Sequence, residues 1–192
     1  MVFDLPSLTV DRIRDDAEYG GLRIKMRADV DGARVPVQID IAFGDAIEPS
    51  LIDIDMPVLL GLPAPRLRAY SYETVIAEKF QAMVALGRAN TRMKDFYDIW
   101  VLAQLRRFDD DQLARAITAT FARRQTAIPI DVPDALTPAF AADPSKQRQW
   151  AVFVRDVAIN PGSLAGVNEQ LVTFLMPHAA KARSRQSDEK DN

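Results

Sequence analysis

The spacing of apolar residues changes once along this chain, and that change constrains its fold. Between Gly21 and Phe43 apolar and polar side chains alternate in two runs, separated by an Asp31-Gly32 dipeptide. This pattern predicts a β-hairpin. After Tyr70 the apolar residues recur about every 3.6 positions, which predicts helices. The sequence therefore predicts an α+β chain with its sheet in the N-terminal third and helices in the remainder.

Cap residues and apolar periodicity place the helices and leave two connecting regions. Residues 46–68 are rich in Pro and Leu and predict a loop-dominated crossing with one strand-like run at 57–60, and residues 129–144 form a Pro-rich connector. A two-stranded hairpin is marginally stable alone, so it requires further strands, the helical layer or a partner. The predicted helices run from a cap at Ser71 to about Leu86, from a cap at Thr91 to about Leu105, from Asp110 to Arg124, from Ser145 to Ile159 and from Ser163 to Met176.

We accordingly divide the chain into three parts. Residues 1–68 form a β region, residues 69–178 a helical domain, and residues 179–192 a small, charged, Ser-containing tail that we expect to be disordered. The N-terminus has no signal-peptide pattern and no apolar run approaches the ~18 residues of a membrane span, so a cytoplasmic location without membrane contact is expected.

Composition excludes several classes of chemistry. There is no cysteine and one histidine, His178, so disulfides, thiolate zinc sites, a cysteine nucleophile and His-rich metal sites are excluded. Carboxylate chemistry, suited to Mg²⁺ or Mn²⁺, is what remains for a metal. The formal net charge is −3, so contact with RNA requires a local basic patch.

One segment has the charge for such a patch. Residues 79–107 hold six basic and two acidic side chains in a chain that is acidic overall. This excess predicts a polyphosphate or RNA footprint, and the alternative is a solvated helix pair with basic residues near its ends.

Three positions are candidates for chemistry. Asp40 lies on the second hairpin strand, facing away from Val37 and Ile39, and is either a solvated polar position or a carboxylate fixed on a rigid strand. Lys79 lies at the edge of an apolar helix stripe, where its ammonium either binds phosphate in a cleft or reaches solvent. Asp95 and Asp98 share one helix face, a placement that the helix dipole alone also favours.

The residues around these candidates resemble a known family. The similarity lies in Val37-Gln38-Ile39-Asp40-Ile41, in the segment from Tyr72 to Met83 that contains Glu78-Lys79-Phe80, and in Arg92-Met93-Lys94-Asp95-Phe96-Tyr97-Asp98-Ile99-Trp100. Together they look like the nucleotidyltransferase toxins of AbiEii/AbiGii type. The resemblance extends from about Phe3 to Trp150 and beyond, and the Arg-x-Lys-Asp-x-x-Asp run at this distance from the Glu-Lys helix is fairly specific.

The resemblance implies a reaction and its participants. It implies a nucleotidyltransferase sheet followed by a helical domain, which moves a nucleotidyl group from an NTP to an acceptor such as the 3′ end of tRNA, with Mg²⁺ and an antitoxin protein as partner. By position, Asp40 resembles the family carboxylate near the metal ions, Lys79 the lysine that holds the triphosphate, and Asp95 a base or positioning group. Arg92 and Lys94 resemble phosphate contacts, and Asp98 and Glu78 are further members of the set.

One departure from the family pattern matters for activity. The resemblance leads us to expect a Gly-Ser turn followed by an Asp-x-Asp pair upstream of Asp40. Asp29-Val30-Asp31 lies at the hairpin turn instead, and Asp53-Ile54-Asp55 lies in the Pro-rich segment after Asp40. We therefore expect a poorly active or inactive chain. The alternative is an inactive truncated homologue that binds protein or RNA, or that associates with itself through an exposed sheet edge.

Overall fold

The fold is described by a computed structural model that covers residues 1–13, 20–44, 46–59 and 61–190, with side chains up to Gln186. The chain forms two compact units, residues 1–45 and residues 46–192. The first unit is a sheet and the second is mainly helical, which confirms the α+β class. The units divide earlier than the boundary at residue 68 that the sequence led us to expect.

The first unit is a three-stranded antiparallel sheet in the order β1-β2-β3, with β1 at Val2–Ile13, β2 at Gly21–Val30 and β3 at Ala33–Ala42. The turn between β2 and β3 has positive φ at Asp31 and Gly32, 53° and 83°, as a two-residue hairpin turn of type I′ requires. The predicted hairpin is confirmed.

The first strand, β1, was not predicted. Its sequence contains Pro6, and its register with β2 shifts between Asp4 and Thr9, which breaks the period-two pattern. At the irregularity the Ser7 hydroxyl donates to the Asp4 carbonyl at 2.7 Å and accepts from the Arg27 amide at 2.9 Å. The side chain thus supplies the backbone pairing that the irregular strand loses.

The two faces of the sheet differ in chemistry. On one face Leu22 lies opposite Ile41 and Ile24 lies opposite Ile39. The other face carries cross-strand ion pairs at 2.8 to 3.2 Å, namely Arg23–Asp40, Lys25–Asp11 and Arg27–Asp4. Such exposed pairs add little stability each, but a one-residue slip would move every member to the opposite face, so together they favour this register.

The second unit begins with a small antiparallel hairpin of β4, Ile52–Asp55, and β5, Arg66–Ala69. The strand-like run expected at 57–60 is not a strand over Pro57–Leu59, and Leu60 lies outside the described residues. The paired strands lie on either side of that run, because pairing requires two segments in register, whereas apolar content alone does not select them.

Helices form the rest of the second unit. Ser71 caps α1 by accepting from the Thr74 amide, which confirms that prediction, and Asp109 caps α3. The helices are α1 Tyr72–Leu86, α2 Met93–Leu105, α3 Asp110–Arg123, α4 Pro138–Ala142, α5 Pro144–Phe153 and α6 Leu164–Lys190.

Two helix predictions need correction. The N-cap of α2 is Arg92 and not Thr91, and no side chain caps this helix. The Asn90 side chain accepts from the Arg92 amide at 2.8 Å and so fixes the turn that leads into the helix. The connector at 129–144 contains α4, which Thr137 caps through the Phe140 amide, and α5 ends at Phe153, before the expected Ile159.

The core lies between α1, α2, α3 and α6. The rings of Phe80 and Phe121 are 5.4 Å apart, and those of Phe96 and Phe140 are stacked at 5.6 Å. Apolar residues within the predicted helices supply most of it. The large side chains with under 2% exposure are Phe80, Phe96, Phe121, Phe140, Ile76, Met83, Ile99, Leu113, Ile117, Leu136, Leu171 and Leu175.

The last helix, α6, differs most from expectation. It was predicted to end near Met176 with a disordered tail from residue 179, but it continues to Lys190, and Ala179 and Ala182 are fully buried. Small residues at this spacing let the helix approach its neighbours closely. The prediction of disorder rested on composition, which contains no information about contacts with other helices. Asp191 and Asn192 lie outside the described residues. Within the described part of the chain, no helix is long and apolar enough to cross a membrane.

Burial of Ala179 makes a stability prediction. Ala179→Glu places a carboxylate in the core and should lower the free energy of unfolding by at least about 2 kcal/mol in urea denaturation. The control is Ala180→Glu, the same change at the exposed neighbouring position, which should cost under about 0.5 kcal/mol. Equal effects of the two changes on the free energy of unfolding would contradict the burial of Ala179 and favour the predicted disordered tail.

Candidate functional site

The candidate residues of the helical unit meet where α1 faces α2. The Lys79 ammonium on α1 donates to Asp95 Oδ1 at 2.6 Å and lies 2.8 Å from Asp98 Oδ2, both on α2. Asp95 and Asp98 are three positions apart, so one helix face presents both carboxylates to the same lysine. The structure therefore brings together residues from two of the three segments that carried the resemblance.

These three charges are largely withdrawn from solvent. The exposed fractions are 20% for Lys79, 13% for Asp95 and 22% for Asp98. Burial by itself lowers the pKa of Lys79, but the hydrogen bonds to Asp95 and Asp98 outweigh it, so the pKa lies above its ordinary value. The ammonium therefore stays protonated throughout the neutral range.

A second lysine completes a charge-balanced cluster. Lys94, which is exposed, pairs with Asp98 at 2.5 Å one helical turn away. Two ammonium groups and two carboxylates therefore compensate each other. Glu78, beside Lys79 in sequence, instead pairs with Arg124 at 3.1 Å and links α1 to the end of α3.

A groove of about 810 Å³ opens on the Asp95 side of the cluster. The start of α2 contributes Arg92 and Lys94, and α5 contributes Arg148. The side chains of Arg92 and Arg148 make no ion pair with any residue in the described ranges. The groove therefore holds two uncompensated positive charges next to a charge-balanced cluster.

Contacts between α5 and the segment before α2 place Arg148 beside Arg92. Lys146, two residues before Arg148, is 8% exposed and donates to the Asn90 carbonyl at 2.7 Å. The Asn90 side chain in turn accepts from the Arg92 amide. Arg148 lies outside the three segments that carried the resemblance and has no local pattern of its own, so sequence reasoning missed it.

A smaller cavity of about 350 Å³ opens on the Asp98 side of the cluster. It is lined by three tyrosines, by apolar side chains of β4 and α2, and by Asp98 itself. Since its charged lining residue is an acid, this cavity is unsuited to a phosphate, and the groove with Arg92 and Arg148 is the one that suits an anion.

Asp40 belongs to the other compact unit and is engaged there. It lies on the polar face as predicted, and the Arg23 guanidinium donates to both of its oxygens at 2.8 Å. The hydrogen bond from Arg23 holds the pKa of Asp40 below its ordinary value. This exposed, bidentate ion pair with Arg23 is sufficient to account for an aspartate at position 40 without a functional role.

The acidic candidates for holding Mg²⁺ are engaged by basic side chains. Both oxygens of Asp40 accept from Arg23, and Asp95 and Asp98 accept from lysines. No three acidic or histidine side chains converge within the described ranges, and Mg²⁺ in nucleotide sites commonly binds through one or two carboxylates together with substrate phosphates. The magnesium ion stays a prediction drawn from the resemblance.

Comparison with known proteins supplies the family. The family model described as nucleotidyl transferase AbiEii toxin, type IV toxin–antitoxin system, matches residues 2–170. The chain belongs to the AbiEii family. No curated protein and no solved structure is significantly similar to it.

Membership of the AbiEii family confirms the resemblance and indicates the general class of function. Its members are described as nucleotidyl transferase toxins of type IV toxin–antitoxin systems, a description that implies an antitoxin partner. The match spans both compact units of this AbiEii protein and includes Asp40, Lys79 and Asp95. The roles of the individual residues stay predictions.

The lysine–aspartate contact makes a prediction about coupling. In a double-mutant cycle of Lys79→Met and Asp95→Asn, we expect a coupling energy of about 1 to 3 kcal/mol in the free energy of unfolding. Lys79→Met leaves the largely buried Asp95 carboxylate without its cationic partner, and the second change removes that charge. The same cycle on the exposed pair Arg66 and Asp53 should give under about 1 kcal/mol. Additive effects at Lys79 and Asp95 would contradict the observed contact.

The Arg23 contact makes a pH prediction. Arg23→Gln should raise the pKa of Asp40 toward its ordinary value in a carboxyl NMR titration. The control is Arg34→Gln, on the same strand as Asp40, which should leave the pKa of Asp40 unchanged. Because the pKa of Asp40 is depressed in the folded state, its stabilising effect is present above the unfolded pKa and is lost as pH falls through the folded pKa. A stability difference between wild type and Arg23→Gln that grows on acidification would contradict this sign.

Proposed function

We propose that this AbiEii protein transfers a nucleotidyl group from an NTP to the 3′ end of an RNA acceptor such as tRNA, at the Lys79–Asp95–Asp98 cluster. The observation that carries the proposal is the contact of Lys79 with both aspartates beside a groove with two uncompensated arginines. Besides its metal ions, such a transfer needs a phosphate ligand and an acid–base group, and the cluster offers a lysine and two carboxylates for these two roles.

Lys79 is the proposed triphosphate ligand. Its raised pKa keeps it positively charged, and a triphosphate offers oxygen acceptors of the same kind as the carboxylates that it now contacts. Binding therefore exchanges carboxylate contacts for phosphate contacts at the same ammonium. The two arginines of the groove supply the surplus positive charge that makes this exchange favourable.

Asp95 is the proposed acid–base group. The acceptor hydroxyl oxygen forms a bond to the α-phosphorus as its proton passes to Asp95, and the bond from the α-phosphorus to the bridging oxygen breaks to release pyrophosphate. Contact with Lys79 orients Asp95 until the triphosphate displaces it. Arg92 and Lys94 hold phosphate oxygens from the start of α2, and Asp98 keeps Lys94 in place.

The first test removes the proposed phosphate ligand. Lys79→Ala should abolish NTP binding in calorimetric titration with each Mg-NTP and should lower transfer to tRNA by roughly 10²- to 10³-fold, since a fixed donor to the reacting phosphate is lost. A thermal melt of the variant checks that it is folded. Undiminished transfer by folded Lys79→Ala protein would refute the assignment.

The second test concerns the residue that sequence reasoning missed. Arg148→Ala should weaken tRNA binding and lower the slope of log Kd against log salt concentration by about one, because one phosphate contact is lost. The matched control is Arg155→Ala, an exposed arginine that does not line the groove. If both variants keep the wild-type slope, the groove is not the RNA contact.

A second candidate function is a binding module without catalysis. The specific observation in its favour is that the carboxylates of Asp40, Asp95 and Asp98 are all engaged by basic side chains. In that case the wild-type protein binds RNA or an antitoxin but transfers nothing. Association between copies through β1 or β3, the outer strands of the sheet, would appear as concentration-dependent mass in light scattering.

A further inference from the structure

The smaller cavity, on the Asp98 side of the Lys79 cluster, has an aromatic and apolar wall. Its volume is about 350 Å³, within the size range of small-molecule sites, and Tyr70, Tyr72 and Tyr97 line it. Of the described residues in its wall, Asp98 alone carries a charge. Three tyrosines around a cavity of this size favour a planar ring system as the ligand, because aromatic rings stack on one another.

Two of these tyrosines are held in place by the protein. The Arg106 guanidinium lies 3.8 Å from the centroid of the Tyr72 ring and also donates to the Tyr72 hydroxyl at 2.9 Å. The Tyr97 hydroxyl accepts from the Ile159 amide at 3.3 Å, and its ring meets that of Phe153 edge to face at 5.7 Å. Rings that are fixed before a ligand arrives lose little freedom when the ligand stacks on them.

Asp98 joins this cavity to the Lys79 cluster and brings an acceptor to it. Its Oδ2 atom takes the contacts with Lys79 at 2.8 Å and with Lys94 at 2.5 Å. No described residue donates a hydrogen bond to Oδ1, which keeps accessible surface on a side chain that is 22% exposed. A carboxylate oxygen only accepts, so it favours a ligand with an N–H donor.

We infer that the cavity receives the base of the NTP, an inference that rests on the proposed function. The cavity begins one carboxylate group away from the Lys79 ammonium, which is the proposed triphosphate ligand. A nucleoside triphosphate has phosphates at one end and an aromatic ring with hydrogen-bonding groups at the other. With the base on the Asp98 side, the groove on the Asp95 side stays open to the acceptor RNA.

The acceptor on Asp98 also selects among the bases. Adenine, cytosine and guanine each carry an amino group that donates to Oδ1, whereas uracil places a carbonyl oxygen on both sides of its N–H. Cytosine and uracil have the same size and differ at this edge. In calorimetric titration, Mg-CTP should therefore bind the wild-type chain roughly tenfold more tightly than Mg-UTP. Equal affinities would overturn the assignment of Asp98 Oδ1.

Removal of one ring tests the stacking wall. Tyr72→Leu should lower the affinity for Mg-CTP by about tenfold and leave the affinity for Mg-tripolyphosphate unchanged, because tripolyphosphate has no base. Tyr72→Phe keeps the ring and should bind Mg-CTP as the wild type does, with thermal melts checking that both variants are folded. Undiminished CTP binding by folded Tyr72→Leu protein, or an equal loss of tripolyphosphate binding, would overturn the inference.

A variant that fills the cavity tests the same site from α2. Val101 lines the cavity and is half-buried, so Val101→Phe places a ring where the base is inferred to lie. The affinity for Mg-CTP should fall by about tenfold or more, and that for Mg-tripolyphosphate should not change. The control is Leu105→Phe, one turn further along α2, 66% exposed and outside the cavity, which should alter neither. Wild-type CTP affinity in folded Val101→Phe protein would contradict the site.

The same titrations separate this inference from the proposed function. If Lys79→Ala abolishes tripolyphosphate binding but CTP binding does not depend on Tyr72, the base cavity is refuted and Lys79 stays the phosphate ligand. If tripolyphosphate binding survives Lys79→Ala, the phosphate ligand is refuted, whereas dependence of CTP binding on Tyr72 would still support the cavity. Absence of CTP binding to the wild-type chain would overturn both.

Discussion

A half-buried ammonium between two helices needs counter-charges, and Lys79 meets two of them on one face of α2. Asp95 needs the lysine just as much, because removal of Lys79 would leave its largely buried carboxylate without that counter-charge. This mutual requirement ties the segment around Glu78-Lys79 to the segment around Asp95 and Asp98. Phe80 follows Lys79 in sequence and Phe96 follows Asp95. Both rings are buried and pack on Phe121 and Phe140, respectively, and this packing fixes the two helices that carry the cluster.

Charge balance within the cluster decides how the rest of the site can work. Two lysines offset two aspartates, so the cluster alone exerts little net attraction on an anion. Attraction comes from Arg92 and Arg148, which Asn90 and Lys146 hold on the same groove. A ligand drawn by these arginines reaches a lysine that can exchange one set of oxygen partners for another. Under the proposed function, this exchange is the physical basis for nucleotide binding.

Sequence reasoning succeeded where a structure depends on local pattern and failed where it depends on contacts. The hairpin turn at Asp31-Gly32 and the cap at Ser71 are dictated by short-range backbone chemistry, and both are confirmed. The first strand was missed because Pro6 and an irregular register hide its alternation. The end of α6 was misjudged because burial of Ala179 depends on helices far away in sequence.

The sequence by itself determined the α+β class, the apolar stripes of the main helices and the identity of Lys79, Asp95 and Asp98 as candidates, because periodicity and motif spacing are properties of neighbouring residues. Only the tertiary structure decided that Lys79 touches both aspartates, that Arg23 engages Asp40, and that Arg148 joins Arg92 on one groove. Those facts depend on side chains from different helices or strands meeting in space, and the packing of the core sets that geometry.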